Sequence, residues 1–203
     1  MIFYIHTHLR WVCICENNYN EIQKGLFIIM KKCLVVVDFQ NEFVSGTLGF
    51  PGASDLEPYI VRKIKQYREN NDEIIFTFDT HGEDYMDTQE GKNLPVVHCV
   101  KDTEGHKLYG QVANLVQKSD KQFCKNTFGS DELYMYLKTQ LFESIELVGL
   151  VSHICIISNA ILAKTAQPET PITVDANCTA SYDNELTQKA LEVMMTMQIG
   201  IRN

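Results

Sequence analysis

The chain has 203 residues, a formal net charge of -8, and 45% hydrophobic against 22% charged residues. This length suits one well-buried domain rather than two, and the composition is that of an ordinary globular protein, not a disordered or fibrous one. The acidic balance argues against nucleic acid, whose phosphates demand an excess of Lys and Arg, and no apolar run reaches the roughly 20 residues that cross a bilayer.

Residues 1–29 do not scan like the rest, and they lack the charged start and small-residue cleavage site of a secretory signal. We expect them to be a disordered extension or an over-called start, with a single domain over residues 30–203 beginning near Met30. Seven cysteines without paired CxxC spacing, Cys13 and Cys15 forming a lone CxC, suggest a reducing cytoplasm in which most thiols are small buried hydrophobes.

Short apolar runs then alternate with amphipathic stretches. "CLVVVDF" predicts a strand, and "EPYIVRKIKQYREN" a helix with Tyr59, Ile60, Ile64 and Tyr67 on one face and Pro58 near its start. "EIIFTFD" predicts a second strand, "LPVVHCV" a short one after a polar loop, "LYGQVANLVQK" a helix and "KQFCK" another strand. "SDELYMYLKTQ" predicts a helix capped by Ser130. "IELVGL" predicts a strand, "ICIISNAILAKTA" a helix, "PITVDA" a strand and "ELTQKALEVMMTMQ" the closing helix. Strands apolar on both faces and separated by helices imply a mainly parallel sheet covered on each side, a three-layer α/β/α sandwich.

Open parallel sheets bind ligands beyond the carboxyl ends of their strands. Asp38, Asp79 and Lys125 end predicted strands, and Cys155 follows another. A thiol is mostly protonated at neutral pH, so attack by sulfur needs help: the helix start near Ile154 and the Lys125 ammonium favour the thiolate, and Asp38 can carry the proton. "FDTHGEDYMDTQEGKNLPVVHC" adds a second group. Asp79 and His81, two apart in an extended segment, can face the same way; with Glu90 and His98 they form a ligand set suited to Zn, Mn or Fe.

"VVVDFQNEFVSGTL", "FCKNTFGS" and "GLVSHICIIS" resemble the three active-site segments of the isochorismatase-like cysteine hydrolases, a family that includes nicotinamidases. The resemblance spans nearly all of residues 32–199. It implies a Rossmann-like sandwich with Asp38, Lys125 and Cys155 as catalytic triad, a cis peptide at Leu150–Val151, and an oxyanion hole from the backbone N–H groups of Val151 and Cys155. It also implies that Asp79, His81 and His98 hold a divalent metal, zinc first and Mn or Fe as alternatives, with Glu90 completing the set. That metal set points to the nicotinamidase-like branch: a cysteine-dependent amidase acting on nicotinamide or a similar small heteroaromatic amide through a thioester. Leu94 stands where relatives often carry an aromatic residue, leaving Phe43 for one stacking face, and Ser152-His153 replaces the usual Thr-Asp. The resemblance extends to possible homo-oligomers. Hydrolysis of the isochorismate type and a non-enzymatic small-molecule binding module are the alternatives.

Overall fold

β1 (Cys33–Val37) is an unbroken apolar run, buried at every position; only a central strand covered on both faces accommodates that. The computed structural model describes residues 30–203, so the expectation for residues 1–29 lies outside the described residues. β1 is followed by the short helix α1 (Asn41–Val44) and by α2 (Glu57–Glu69). Next come β2 (Glu73–Asp79), the short helices α3 (Gln89–Asn93) and α4 (Gly110–Asn114), and β3 (Lys121–Lys125). α5 (Asp131–Thr139), β4 (Ile145–Leu150), a π-helical turn at Ser152–Ile156 and α6 (Ile157–Ala166) follow. β5 (Ile172–Ala180), α7 (Asn184–Thr196) and β6 (Gly200–Arg202) close the chain.

The sheet order is β3-β2-β1-β4-β5-β6, and every neighbouring pair is parallel. Side chains alternate along β1. Leu34 and Val36 join a cluster with Ile60, Ile64 and Tyr67 of α2, whereas Val35 and Val37 join Leu133 and Leu137 of α5, Ala160 of α6 and Leu191 of α7. This is the expected three-layer sandwich. The strand order reverses between β1 and β4, where the connections diverge and leave a crevice at the carboxyl edge.

Two backbone details shape that crevice. Asp38 adopts a left-handed conformation (φ 47), which Asp tolerates better than most residues, and so turns the chain sharply out of β1. Gly149 has φ 119, and a Cβ there would lie 2.0 Å from the Val37 carbonyl oxygen, so only glycine lets β4 approach β1 just before the Leu150–Val151 peptide, which is cis.

Several expectations are corrected. "LPVVHCV" forms no strand; its pairing reduces to an isolated bridge between His81 and Val100, because Pro95 lacks a backbone donor. Tyr59 is 45% exposed and Val61 takes the buried place on α2. The helix expected in "LYGQVANLVQK" shrinks to α4, and the closing helix is followed by β6. Ser130 caps α5 as expected, its Oγ accepting the Leu133 N–H at 3.1 Å. Among the described residues, Cys33, Cys99, Cys155 and Cys178 are buried free thiols and Cys124 is exposed, and no helix is long and apolar enough to cross a membrane.

Candidate active site

Strand register brings the sequence candidates together. Asp79 lies opposite Lys125 across β2 and β3, and Val37, just before Asp38, lies opposite Gly149 of β4. The Lys125 Nζ is 2.7 Å from Asp38 Oδ2, 3.2 Å from Asp79 Oδ1 and 3.6 Å from Cys155 Sγ. All four residues are buried. Asp38 Oδ1 accepts a hydrogen bond from Thr77 Oγ1 at 2.7 Å. Its Oδ2 is close to the ammonium but off the hydrogen-bond direction, which leaves it bonding capacity for another proton.

Burial raises the Asp38 pKa, and Lys125 only partly offsets this. Burial also works against the Lys125 cation, but Asp38 and Asp79 outweigh it and hold the ammonium charged. The Cys155 thiol is pushed up by burial first and then by Asp38, with Lys125 opposing. Lys125 favours a thiolate, as the sequence leads one to expect, but in the closed site desolvation and two carboxylates outweigh one ammonium, so the sulfur holds its proton more tightly than a free thiol and needs a neighbour to take it. Cys155 itself sits in the π-helical turn rather than in a regular helix. Val151 precedes that turn, and its carbonyl accepts from the Ile154 and Ile156 N–H groups, both at 3.2 Å.

Asp79 also faces a second group. Its Oδ2 is 3.1 Å from His81 Nε2 and 3.3 Å from His98 Nε2, and the ligating atoms of these three residues lie within 4.8 Å of one another. Glu90 Oε1 is 3.8 Å from His81 Nε2 and 3.7 Å from His98 Nε2. The His98 Nδ1 is 2.7 Å from the Val96 carbonyl; an N–H there turns the lone pair of Nε2 toward the cluster. Burial opposes protonation of His98, but its bond to Asp79 prevails and raises its pKa. Contacts with His81 and His98 and the charge of Lys125 overcome burial and hold Asp79 well below the usual carboxylate range; bound to a metal instead, the same Nε2 atoms would turn their lone pairs to it. Two imidazole nitrogens and two carboxylates converging in a buried space fit a divalent cation.

Sequence reasoning missed the residues that hold this geometry. Tyr85, fully buried, packs edge-on against the rings of His81 and His98 at 4.7 and 4.9 Å. Its hydroxyl donates to the Leu94 carbonyl at 2.8 Å, and burial, with Glu90 and Asp79 nearby, pushes its pKa up to about 12. Gln40 grips the backbone of Asp79 from both sides: Oε1 accepts its N–H at 2.8 Å and Nε2 donates to its carbonyl at 2.9 Å. Gln40 stood inside the segment that carried the resemblance, which was the available signal. Phe43, on α1, meets the His98 ring at 6.0 Å. A cavity of about 740 Å³ opens beside the cluster, lined by Thr80, His81, Glu90, Leu94, Phe128 and Ile154 among others.

The family described as "Isochorismatase domain" matches residues 32–201. A Bacillus subtilis protein described as "Uncharacterized isochorismatase family protein PncA" is 30% identical over 144 residues, 65% of this chain and 78% of that one. The nicotinamidase of Saccharomyces cerevisiae is 25% identical over 213 residues, 84% of this chain and 98% of that one. The crystal structure of nicotinamidase/pyrazinamidase PncA from Bacillus subtilis superposes with a TM-score of 0.76 at 26% identity, covering 86% of this chain and 100% of that one.

Proposed function

The chain belongs to the isochorismatase family, and from that premise we propose that it is a cysteine-dependent amidohydrolase. Its substrate is nicotinamide or a similar small heteroaromatic amide, cleaved at the carboxamide C–N bond with release of ammonia. The observation that carries this reading is the sharing of Asp79, whose Oδ1 meets Lys125 beside the thiol while Oδ2 meets the two imidazoles.

In this mechanism Asp38 takes the thiol proton as Cys155 Sγ attacks the amide carbon. Lys125 stays protonated and offsets the charge that the proton transfer leaves among Asp38, Asp79 and the sulfur. The Val151 and Cys155 N–H groups stabilise the oxyanion. As the C–N bond breaks, Asp38 returns the proton to the departing nitrogen, which leaves as ammonia with a thioester on Cys155. Asp38 next removes a proton from water attacking the thioester, and the sulfur leaves and recovers a proton as the acid departs. Asp79, His81, His98 and Glu90 would hold a divalent metal, zinc first, which when bound supplies a Lewis acid for a heteroaromatic ring nitrogen and so orients the ring. Phe43 and Leu94 bound the ring.

Hydrolysis of the isochorismate type fits less well. That reaction has no ring nitrogen to bind, so it leaves the Asp79, His81 and His98 group nothing to orient. The test is ammonia release from nicotinamide by the metal-loaded parent and by Cys155→Ala. The reading expects release by the parent and none above background by the variant; equal release from both would remove Cys155 from the mechanism.

A further inference from the structure

Lys125 is set at the end of an edge strand. Among the described residues β3 pairs only with β2, and four of its five side chains are exposed or half-buried, Lys125 being the exception. The segment after it, Asn126–Gly129, runs along the surface and contributes Phe128 to the cavity wall. Neither feature by itself holds an ammonium 3.6 Å from a sulfur on a different element.

Asp38 and Asp79 hold the ammonium itself; Asn159 ties the loop that follows Lys125 to the thiol's element. It lies on α6, one turn beyond Cys155, and is fully buried. A buried amide is costly unless its hydrogen bonds are met, and asparagine is a poor residue for a helix interior. Here its bonds are met across two elements. Nδ2 donates to the Cys155 carbonyl at 2.8 Å and to the Phe128 carbonyl at 3.1 Å, and Oδ1 accepts the Ser130 N–H at 3.0 Å. Ser130 in turn caps α5, so the loop after Lys125 is fixed at its far end to a helix start and to the nucleophile's own carbonyl. A helix residue needed only for packing would be met by Ala or Leu; the three bonds have the directionality of a clasp.

We propose that Asn159 is a positioning residue for the hydrolysis, its side-chain amide clasping the loop that follows Lys125 to the backbone of Cys155 and so fixing ammonium, thiol and the Phe128 wall relative to one another. The proposal rests on the assignment of Cys155 and Lys125 made above. Misplacement of reacting groups by about 1 Å can cost on the order of 10²-fold.

The test uses the full chain with Asn159→Ala and Asn159→Thr. Threonine has a similar volume and its hydroxyl can bond back to the Cys155 carbonyl one turn earlier, but it is too short to hold Phe128 and Ser130 as well. The readouts are kcat on nicotinamide and the pH profile of Cys155 alkylation by iodoacetamide, followed by mass spectrometry of the Cys155 peptide, with metal content and circular dichroism as controls. Both variants are expected to keep parent metal content and helicity, to lose about 10- to 100-fold in kcat, and to shift the pH of half-maximal alkylation. Should Asn159→Ala fail to fold, Asn159→Thr decides. A folded, metal-loaded Asn159→Thr protein with parent kcat and parent alkylation profile would overturn the proposal. A parent that releases no ammonia from nicotinamide defeats the proposed function instead; the alkylation profile, which needs no substrate, then decides the clasp alone.

Discussion

Lys63 and Lys125 each sit between two carboxylates, yet the surroundings give them different work. Lys63 of α2 lies 2.9 Å from Glu146 Oε1 and 2.7 Å from Asp175 Oδ2. Tyr67 donates to Glu146 Oε2 at 2.9 Å, and the Asn177 N–H donates to Asp175 Oδ1 at 2.9 Å. Three of the four carboxylate oxygens of that network accept a hydrogen bond, the fourth, Asp175 Oδ2, has the Lys63 ammonium beside it, and the network ties α2 to β4 and β5. At Lys125 the same charge pattern includes a thiol, an Asp38 oxygen off the hydrogen-bond direction and an Asp79 shared with two imidazoles. A lysine between carboxylates is thus no mark of catalysis. Spare bonding capacity beside a thiol, with a cavity next to it, is what sets Lys125 apart.

The largest expected effect separates the two networks by activity. Asp38→Asn keeps the shape but removes the proton acceptor, and kcat for amide hydrolysis should fall by about 10²–10⁴-fold, read as ammonia release at saturating substrate. Lys63→Met breaks the other network. Because Lys63 is partly exposed and Arg202 NH1 remains 3.6 Å from Glu146 Oε1, the loss should be near the low end of the range for broken buried pairs, about 3 kcal/mol in urea unfolding, with kcat per folded molecule unchanged. A tenfold loss of kcat in folded Lys63→Met would erase the distinction drawn between the two lysines.

Metal removal comes next. With free metal at about 100 times its dissociation constant, stripping it should cost about 2.7 kcal/mol, seen as a lower Tm after chelation that is restored on adding zinc. His81→Ala, already lacking a ligand, should show no chelator-dependent shift. Protons compete for His98, whose pKa is raised through Asp79, so metal content after dialysis should decline as pH falls through that raised value.

The smallest expected effect concerns His153. It sits on the nucleophile turn, but its Nδ1 is 2.8 Å from Ser181 Oγ and its Nε2 3.3 Å from Tyr182 Oη, which places it with the structural ties. Burial lowers its pKa, and Asp183 only partly opposes this. The neutral ring is therefore favoured in the folded state. Its contribution is present above the ordinary histidine value of about 6.5 and is lost as pH falls from there through the lowered folded value. Melting curves from about pH 7.5 to 5.5 should show a slightly larger loss of Tm for the parent than for His153→Gln; identical losses would exclude this contribution.

What was legible in the sequence follows the same division. β1, β2 and β4 declare themselves because central parallel strands must be apolar on both faces, and the Ser130 cap because its chemistry is local. The meeting of Asp38, Lys125 and Cys155 was legible because strand ends converge at one sheet edge. β6 was not: three residues with an exposed, half-buried, exposed pattern have no periodicity to detect, and they are held by pairing to β5. "LPVVHCV" misled because an apolar run says nothing of whether a partner strand is available. Asn159 and Thr77 escaped because a polar residue on a helix or strand reads as solvent-facing until long-range bonds reveal its partners. The Lys125 effect on the Cys155 thiol was legible and its net upward shift was not, since the burial and carboxylates that raise its pKa come from segments far along the chain.

The central claim is that Cys155 carries the acyl group during turnover. Nicotinamide mixed with metal-loaded enzyme, quenched in acid within the first turnover and digested, can be analysed by mass spectrometry of the Cys155 peptide. The account predicts a mass gain equal to a nicotinoyl group on that peptide, present transiently and absent in Cys155→Ala. Ammonia released over the same interval from an enzyme whose Cys155 peptide never gains that mass would contradict it.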